Sequence, residues 1–262
     1  VLLDRIEKCY KGNHGPGKLP SVSKDKLSDS AGLILPHAGY TYSGPVAAHG
    51  YGWIAERGKP ESIVIIGTNH SGLGPPASIL VEGSWSTPLG DVEFDMELGQ
   101  DILEGSDTLE ENISSFSREH SIEVQLPFLQ HLWGDDFSIV PICLKNQDEG
   151  VAGEVADTIA TAAPSGTLVI SSTDFTHYES QEVAERQDST AIETIMGLRL
   201  DEFYETVRKN SISICGYGTI AVLIKYALKN DLKPTKLKYA TSGEVAGYGR
   251  EVVGYGAIGF NK

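Results

Sequence analysis

The run Ser62–Gly67, SIVIIG, sets apolar and mostly β-branched side chains at successive positions. A strand with one wet face alternates apolar and polar residues. A run without alternation is expected where both faces are buried, as in a parallel sheet covered by helices. LILP at Leu33–Pro36 and TLVISS at Thr167–Ser172 share that character. Each of the three stretches ends in a turn that carries polar chemistry: His37 in LILPHAGYTYSG, His70 in SIVIIGTNHSG, Asp174 and His177 in TLVISSTDFTHY. In an open α/β sheet, ligands gather beyond the carboxyl ends of the strands. Three histidines and an aspartate are therefore expected on one rim.

The remaining pattern alternates strand and helix. It predicts helices near Leu2–Cys9, Gly44–Arg57, Met96–Leu103, Glu149–Ala163, Ser180–Met196, Asp201–Asn210 and Thr219–Lys229. Strands are expected at Gly32–Pro36, Ala77–Glu82, Phe137–Cys143, Leu237–Thr241 and Val252–Phe260. SREHSIEVQLPFLQHL reads as a helix capped by Ser117 and kinked or divided at Pro127. GSWSTPLGDVEFD reads as a turn-rich connection. These elements predict an α/β fold: one three-layer α/β/α domain over residues 1–262, with a mostly parallel central sheet. The start at Val1 rather than a methionine predicts that some N-terminal sequence precedes it.

The net charge of −15 offers no basic stripe for phosphates, so neither nucleic acid nor an anionic membrane is an expected partner. No apolar run approaches the length of a membrane span, so no membrane insertion is expected. Cys9, Cys143 and Cys215 are odd in number and irregularly spaced, which argues for a reducing, cytoplasmic setting rather than a disulfide framework. No phosphate loop, dinucleotide fingerprint, HExxH helix, paired CxxC or GxSxG elbow is present.

Several residues could carry chemistry. Pro36 and Gly39 flank a sharp turn that would present His37 outward or hold it in place. His70 sits between two glycines, in a loop that Asn69 could also close as an Asx turn. Asp174 can orient a ring, ligate a metal or cap a helix, and His177 can ligate or act as a base near neutral pH. His120 and Glu123, with Glu119, could hold a ligand from behind, although acidic residues in a first turn also serve the helix dipole. Cys215 precedes a helix, a position that lowers a thiol's pKa. Cys143 reads as a small buried residue, and Cys9 as a helix-face residue. What remains is a mononuclear site of two or three histidines with a carboxylate or thiolate, suited to iron, zinc or copper.

PHAGYTYSG, GTNHSG, REHSIEVQLPFLQ, SSTDFTHY and ICGYGTI, in this order, resemble the Memo family, whose microbial members are also called AmmeMemoRadiSam system protein B. The resemblance covers nearly the whole chain. Family members usually carry a further N-terminal segment with an aromatic-Pro motif, which this sequence lacks. The resemblance implies a fold similar to class III extradiol dioxygenases. It implies His37, His70 and Cys215 as metal ligands, His177 and Asp174 as catalytic residues, and Tyr40, His120, Glu123 and Tyr178 as pocket residues or residues behind the ligands. The dioxygenases place a glutamate where Cys215 stands here. A thiolate is a softer ligand, suited to copper or reduced iron, and it argues against ring opening.

The resulting expectation is a metal-dependent oxidoreductase with iron or copper. His177 would move a proton and Asp174 would set its orientation. The alternative is a non-enzymatic module that captures a small molecule or peptide between Tyr40, Tyr42, Phe175, Tyr178 and Tyr217. A zinc hydrolase with His177 as base is a third possibility.

Overall fold

The computed structural model describes residues 1–247 and 249–262. Its strands are β1 (Ala31–Leu35), β2 (Ser62–Thr68), β3 (Ala77–Ile79), β4 (Ser84–Thr87), β5 (Gly90–Glu93), β6 (Leu109–Glu111), β7 (Ser138–Leu144), β8 (Leu168–Ser172), β9 (His177–Glu179), β10 (Lys233–Thr241) and β11 (Val252–Asn261). The helices are α1 (Leu2–Lys11), α2 (Gly44–Ala55), α3 (Met96–Glu104), α4 (Leu126–Trp133), α5 (Glu149–Ala162), α6 (Gln181–Met196), α7 (Leu200–Lys209), α8 (Tyr217–Lys229) and α9 (Ser242–Ala246).

One mixed sheet has the order β10-β11-β1-β8-β2-β7-β3-β6, with β9 paired to β11. The centre, β1-β8-β2-β7, is parallel, as the unbroken apolar runs require. Antiparallel pairs flank it, β11 on β1 and β3 on β7. Along β2, Val64 and Ile66 face one core with β-branched partners from α5 and α8, while Ile63 and Ile65 face a second core under α1, α2 and α4. All four side chains are fully buried. Each contributes about 1.5–3 kcal/mol relative to exposure. Helices therefore cover both faces, and the sequence expectation of a three-layer α/β/α arrangement holds.

Two expectations change. GSWSTPLGDVEFD forms the β4–β5 hairpin, because Trp85 pairs with Val92 across a tight Thr87–Gly90 turn. The Ser117 segment is not helical: Ser117 Oγ donates to the Ser114 carbonyl at 3.0 Å instead of capping. The chain turns through a 3-10 stretch, Glu123–Gln125, and α4 begins only there. Pro127 occupies the first turn of α4, where its missing N–H is not needed. No helix among the described residues is long and apolar enough to cross a membrane.

Register brings the rim together. Leu35 lies beside Ser172, and Ile66 beside Ser171, so β1, β8 and β2 end level with one another. His37, Asp174 and His70 each follow within a few residues and meet on one edge.

Candidate metal centre

His37 is buried, 2% exposed. Its backbone N–H donates to Asp174 Oδ1 at 2.8 Å, and its Nδ1 lies 3.1 Å from Ser172 Oγ. The tautomer follows from a chain of donors. Tyr51 OH donates to Gln125 Oε1 at 2.6 Å. Gln125 Nε2 donates to the Pro36 carbonyl at 3.0 Å and to Ser172 Oγ at 2.8 Å. The single hydroxyl proton of Ser172 goes to the Ser121 carbonyl at 2.5 Å. Ser172 Oγ can then only accept from His37, so Nδ1 carries the proton and Nε2 presents its lone pair. Burial, then the nearby His70 and His120, hold the His37 pKa well below its ordinary value, which keeps the ring neutral.

His70 is fixed by a different partner. Its backbone N–H and its Nδ1 both meet Glu119, at 2.6 and 2.9 Å. Glu119 also accepts the backbone N–H groups of His120 and Ser121, each at 2.9 Å. Burial raises the Glu119 pKa, but hydrogen bonds from the His70 ring and these amides outweigh it and bring it to about 2. An ionised carboxylate only accepts, so His70 Nδ1 is the donor and Nε2 is left free. A carboxylate behind an imidazole is the usual support for a metal-binding histidine.

The third member is Cys215. Its Sγ lies 3.3 Å from His37 Nε2 and accepts the Asp174 backbone N–H at 3.1 Å. The expected helix-terminal lowering of its pKa does not occur: burial, then the Asp174 charge, push the thiol up to about 12. Amides at the start of α8 are already taken, Gly216 N–H by Thr173 Oγ1 and Gly218 N–H by Gln147 Oε1. His37, His70 and Cys215 each bring a ligand atom within 4.8 Å of the others. His70, Glu119 and His120 form a second group at that spacing, but Glu119 Oε1 already accepts from His70 Nδ1 and lies 3.5 Å from His120 Nδ1. That group is hydrogen-bonded to itself, and it backs the first.

The other expected residues are spread around this centre. His120 lies over it, its ring 4.8 Å from that of His70 and 5.3 Å from that of His37. The Asp174 carboxylate, raised by burial against the His37 amide, holds the His37 turn. The His177 ring is oriented by the Ser213 carbonyl, which accepts from Nδ1 at 2.8 Å and leaves Nε2 unprotonated in the neutral ring. Tyr40 OH donates to the Val124 carbonyl, and its ring packs on Phe128. Tyr178 is exposed, at a φ of 57°, with its ring edge-on to His177. Phe175 is fully buried in the core, and Tyr217 meets Tyr204 edge to face at 6.0 Å.

The cavity beside the centre has other walls. A space of about 660 Å³ is lined by Trp85, Phe94 and Phe116, with Glu119, His120 and Glu123 at its inner side. The alternation of Trp85-Ser86-Thr87 with Asp91-Val92-Glu93 around a Pro-Leu-Gly turn was the available signal for the hairpin that builds it. Ser172 and Gln125 carried no signal, since their role depends on partners far along the chain.

Gly216 sets how tightly the Cys215 loop sits. A Cβ there would lie 2.7 Å from Thr173 Cβ, Thr173 Oγ1 and Thr68 Oγ1. Gly216→Ala is expected to cost about 1–3 kcal/mol in urea unfolding and to weaken metal retention by displacing Cys215. An unchanged midpoint would show that the loop gives way freely.

The Memo-like protein family matches residues 1–259. A MEMO1 family protein of Desulfurococcus amylolyticus is 46% identical over 262 residues, covering 99% of this chain and 93% of the relative. One from Thermotoga maritima is 46% identical over 257 residues, covering 97% and 91%. One from Methanopyrus kandleri is 42% identical over 265 residues, covering 100% and 93%. Among solved structures, uncharacterized protein JW3007 of Escherichia coli K12 aligns with a TM-score of 0.59 at 11% identity, over 87% of this chain and 98% of that one. That likeness concerns the fold.

Proposed function

This chain is a member of the Memo-like protein family, and from that membership and the geometry of its rim we propose that it holds one iron or copper ion at His37, His70 and Cys215 and works as a metal-dependent oxidoreductase. One observation carries the proposal. Two imidazoles have their Nδ1 protons committed to Ser172 and Glu119, so both are restricted to offering Nε2, beside a single thiol. Two nitrogens and a sulfur form a donor set for a soft or borderline metal. Zinc would fit the same atoms and would direct the site toward hydrolysis.

A bound iron or copper ion would supply one-electron chemistry at this position. The chain's own residues do the rest. Hydrogen bonds to Ser172 and Glu119 orient the His37 and His70 rings, and Asp174 pins the His37 turn from behind. His177, with Nδ1–H on the Ser213 carbonyl, offers Nε2 to take or return a proton. His120 stands between the ligands and the cavity of about 660 Å³, where a substrate would meet it before the metal.

That cavity also supports a second reading, a module that captures a small molecule or peptide without turning it over. X-ray absorption of iron- or copper-loaded protein separates the donor sets. One sulfur and two nitrogen ligands are expected, with the sulfur signal lost in Cys215→Ala. A wild-type spectrum without sulfur would overturn the assignment.

A further inference from the structure

We propose that the cavity between the β4–β5 hairpin and the Ile113–His120 turn binds a small organic ammonium, an apolar or aromatic body carrying a protonated amine. The walls come first. Trp85 and Phe116 meet edge to face at 6.2 Å, and Phe94 closes a third side. Aromatic faces attract organic cations through their quadrupole, indole most strongly. The volume of about 660 Å³ suits a small ligand rather than a protein surface.

The charges point the same way. Glu82, Glu119 and Glu123 line the cavity against one guanidinium, Arg118. Glu119 is committed to the histidines. Glu82 and Glu123 are exposed, and neither belongs to the ion-paired glutamates of the described residues. Arg118 is exposed and has no ion-pair partner among the described residues either, so an anionic ligand would meet two unpaired carboxylates against one guanidinium, in a chain of net charge −15. An ammonium would pair with Glu123 while its body packs on Trp85. Glu123 and His120 share this lining, so the amine end would rest beside His120, one imidazole away from His70.

The proposal names the ligand class of the centre described above and rests on that reading for its meaning, but its binding step needs no metal. Calorimetric titration with phenethylamine, 2-phenylethanol and phenylacetate, on chelator-treated and on metal-loaded protein, tests it. Phenethylamine is expected to bind tightest, with phenylacetate weaker by about tenfold or more. Trp85→Leu and Glu123→Gln are each expected to weaken phenethylamine by about tenfold. Glu123 is exposed and forms no ion pair, so its variant carries the test even if the hairpin variant misfolds. Phenylacetate binding as tightly as the amine, no measurable heat with phenethylamine, or full affinity in Glu123→Gln would each overturn the proposal. Amine binding by a protein that retains no metal would leave it standing and remove the metal reading. Metal retention without amine binding would do the reverse.

Discussion

A His37→Ala/His70→Ala double variant is expected to retain less than about a tenth of the iron or copper that wild-type protein carries through purification without added metal. The size of the effect follows from the number of donors lost. Removing both imidazoles leaves a single half-buried thiol, and one such donor does not hold a divalent ion against water. Structural collapse is a poor explanation for such a loss, since alanine leaves the backbone hydrogen bond from residue 37 to Asp174 in place. A His14→Ala control is expected to keep its metal, because the recorded partner of His14 is made by its carbonyl, to His49. Elemental analysis by mass spectrometry reads all three proteins. Equal metal content in wild type and the double variant would sink the assignment.

Glu119→Gln is the second large effect, and it falls on stability. The carboxylate is 3% exposed and accepts four N–H groups, from His70 twice, His120 and Ser121. A glutamine amide turns one acceptor oxygen into a donor that faces other donors. About 2–4 kcal/mol is expected to be lost at neutral pH. The pH dependence has a definite sign. The folded pKa of Glu119 is depressed to about 2 from 4.5, so its contribution is complete above 4.5 and is lost as pH falls toward 2. A shift of that size corresponds to about 3 kcal/mol. Urea unfolding of chelator-treated wild type and Glu119→Gln is therefore expected to show a gap that narrows from about pH 5 to about pH 3. A gap that stays constant across that window would assign the loss to packing. Weaker metal retention, by about 10–100-fold, is expected alongside.

How much of this was legible in the chain depends on the range of the interaction. The doubly buried strands were, because an unbroken apolar run reports its surroundings residue by residue. The rim followed, since His37, His70 and Asp174 each stand just past such a strand. The Ser117 segment misled, because its apparent helix start, Ser117 followed by Glu119 and Glu123, is the local pattern of a capped helix. Its glutamate is instead drawn to His70, 49 residues earlier in the chain. Cys215 misled for a similar reason. Helix-end position is local and readable, but the burial and the Asp174 charge that raise its pKa arrive through tertiary contact. The aromatic walls were sought in Phe175 and the tyrosines of the motifs, whereas Trp85 reaches the cavity on a hairpin that carries none of them.

The Ser172 hydroxyl has one proton and gives it to the Ser121 carbonyl. Tyr51, Gln125 and Ser172 therefore form a line of donors whose directions are all set, and the line ends on a peptide oxygen that has no proton to pass on. Behind His37 the protein interior is a dead end for protons: the chain of hydroxyls and amides cannot act as a wire, because no member can turn without leaving a buried group unpartnered. A proton consumed or released at His37 therefore has no route through the Tyr51–Gln125–Ser172 line. Deuterium delivered from bulk water would not reach the centre along that line.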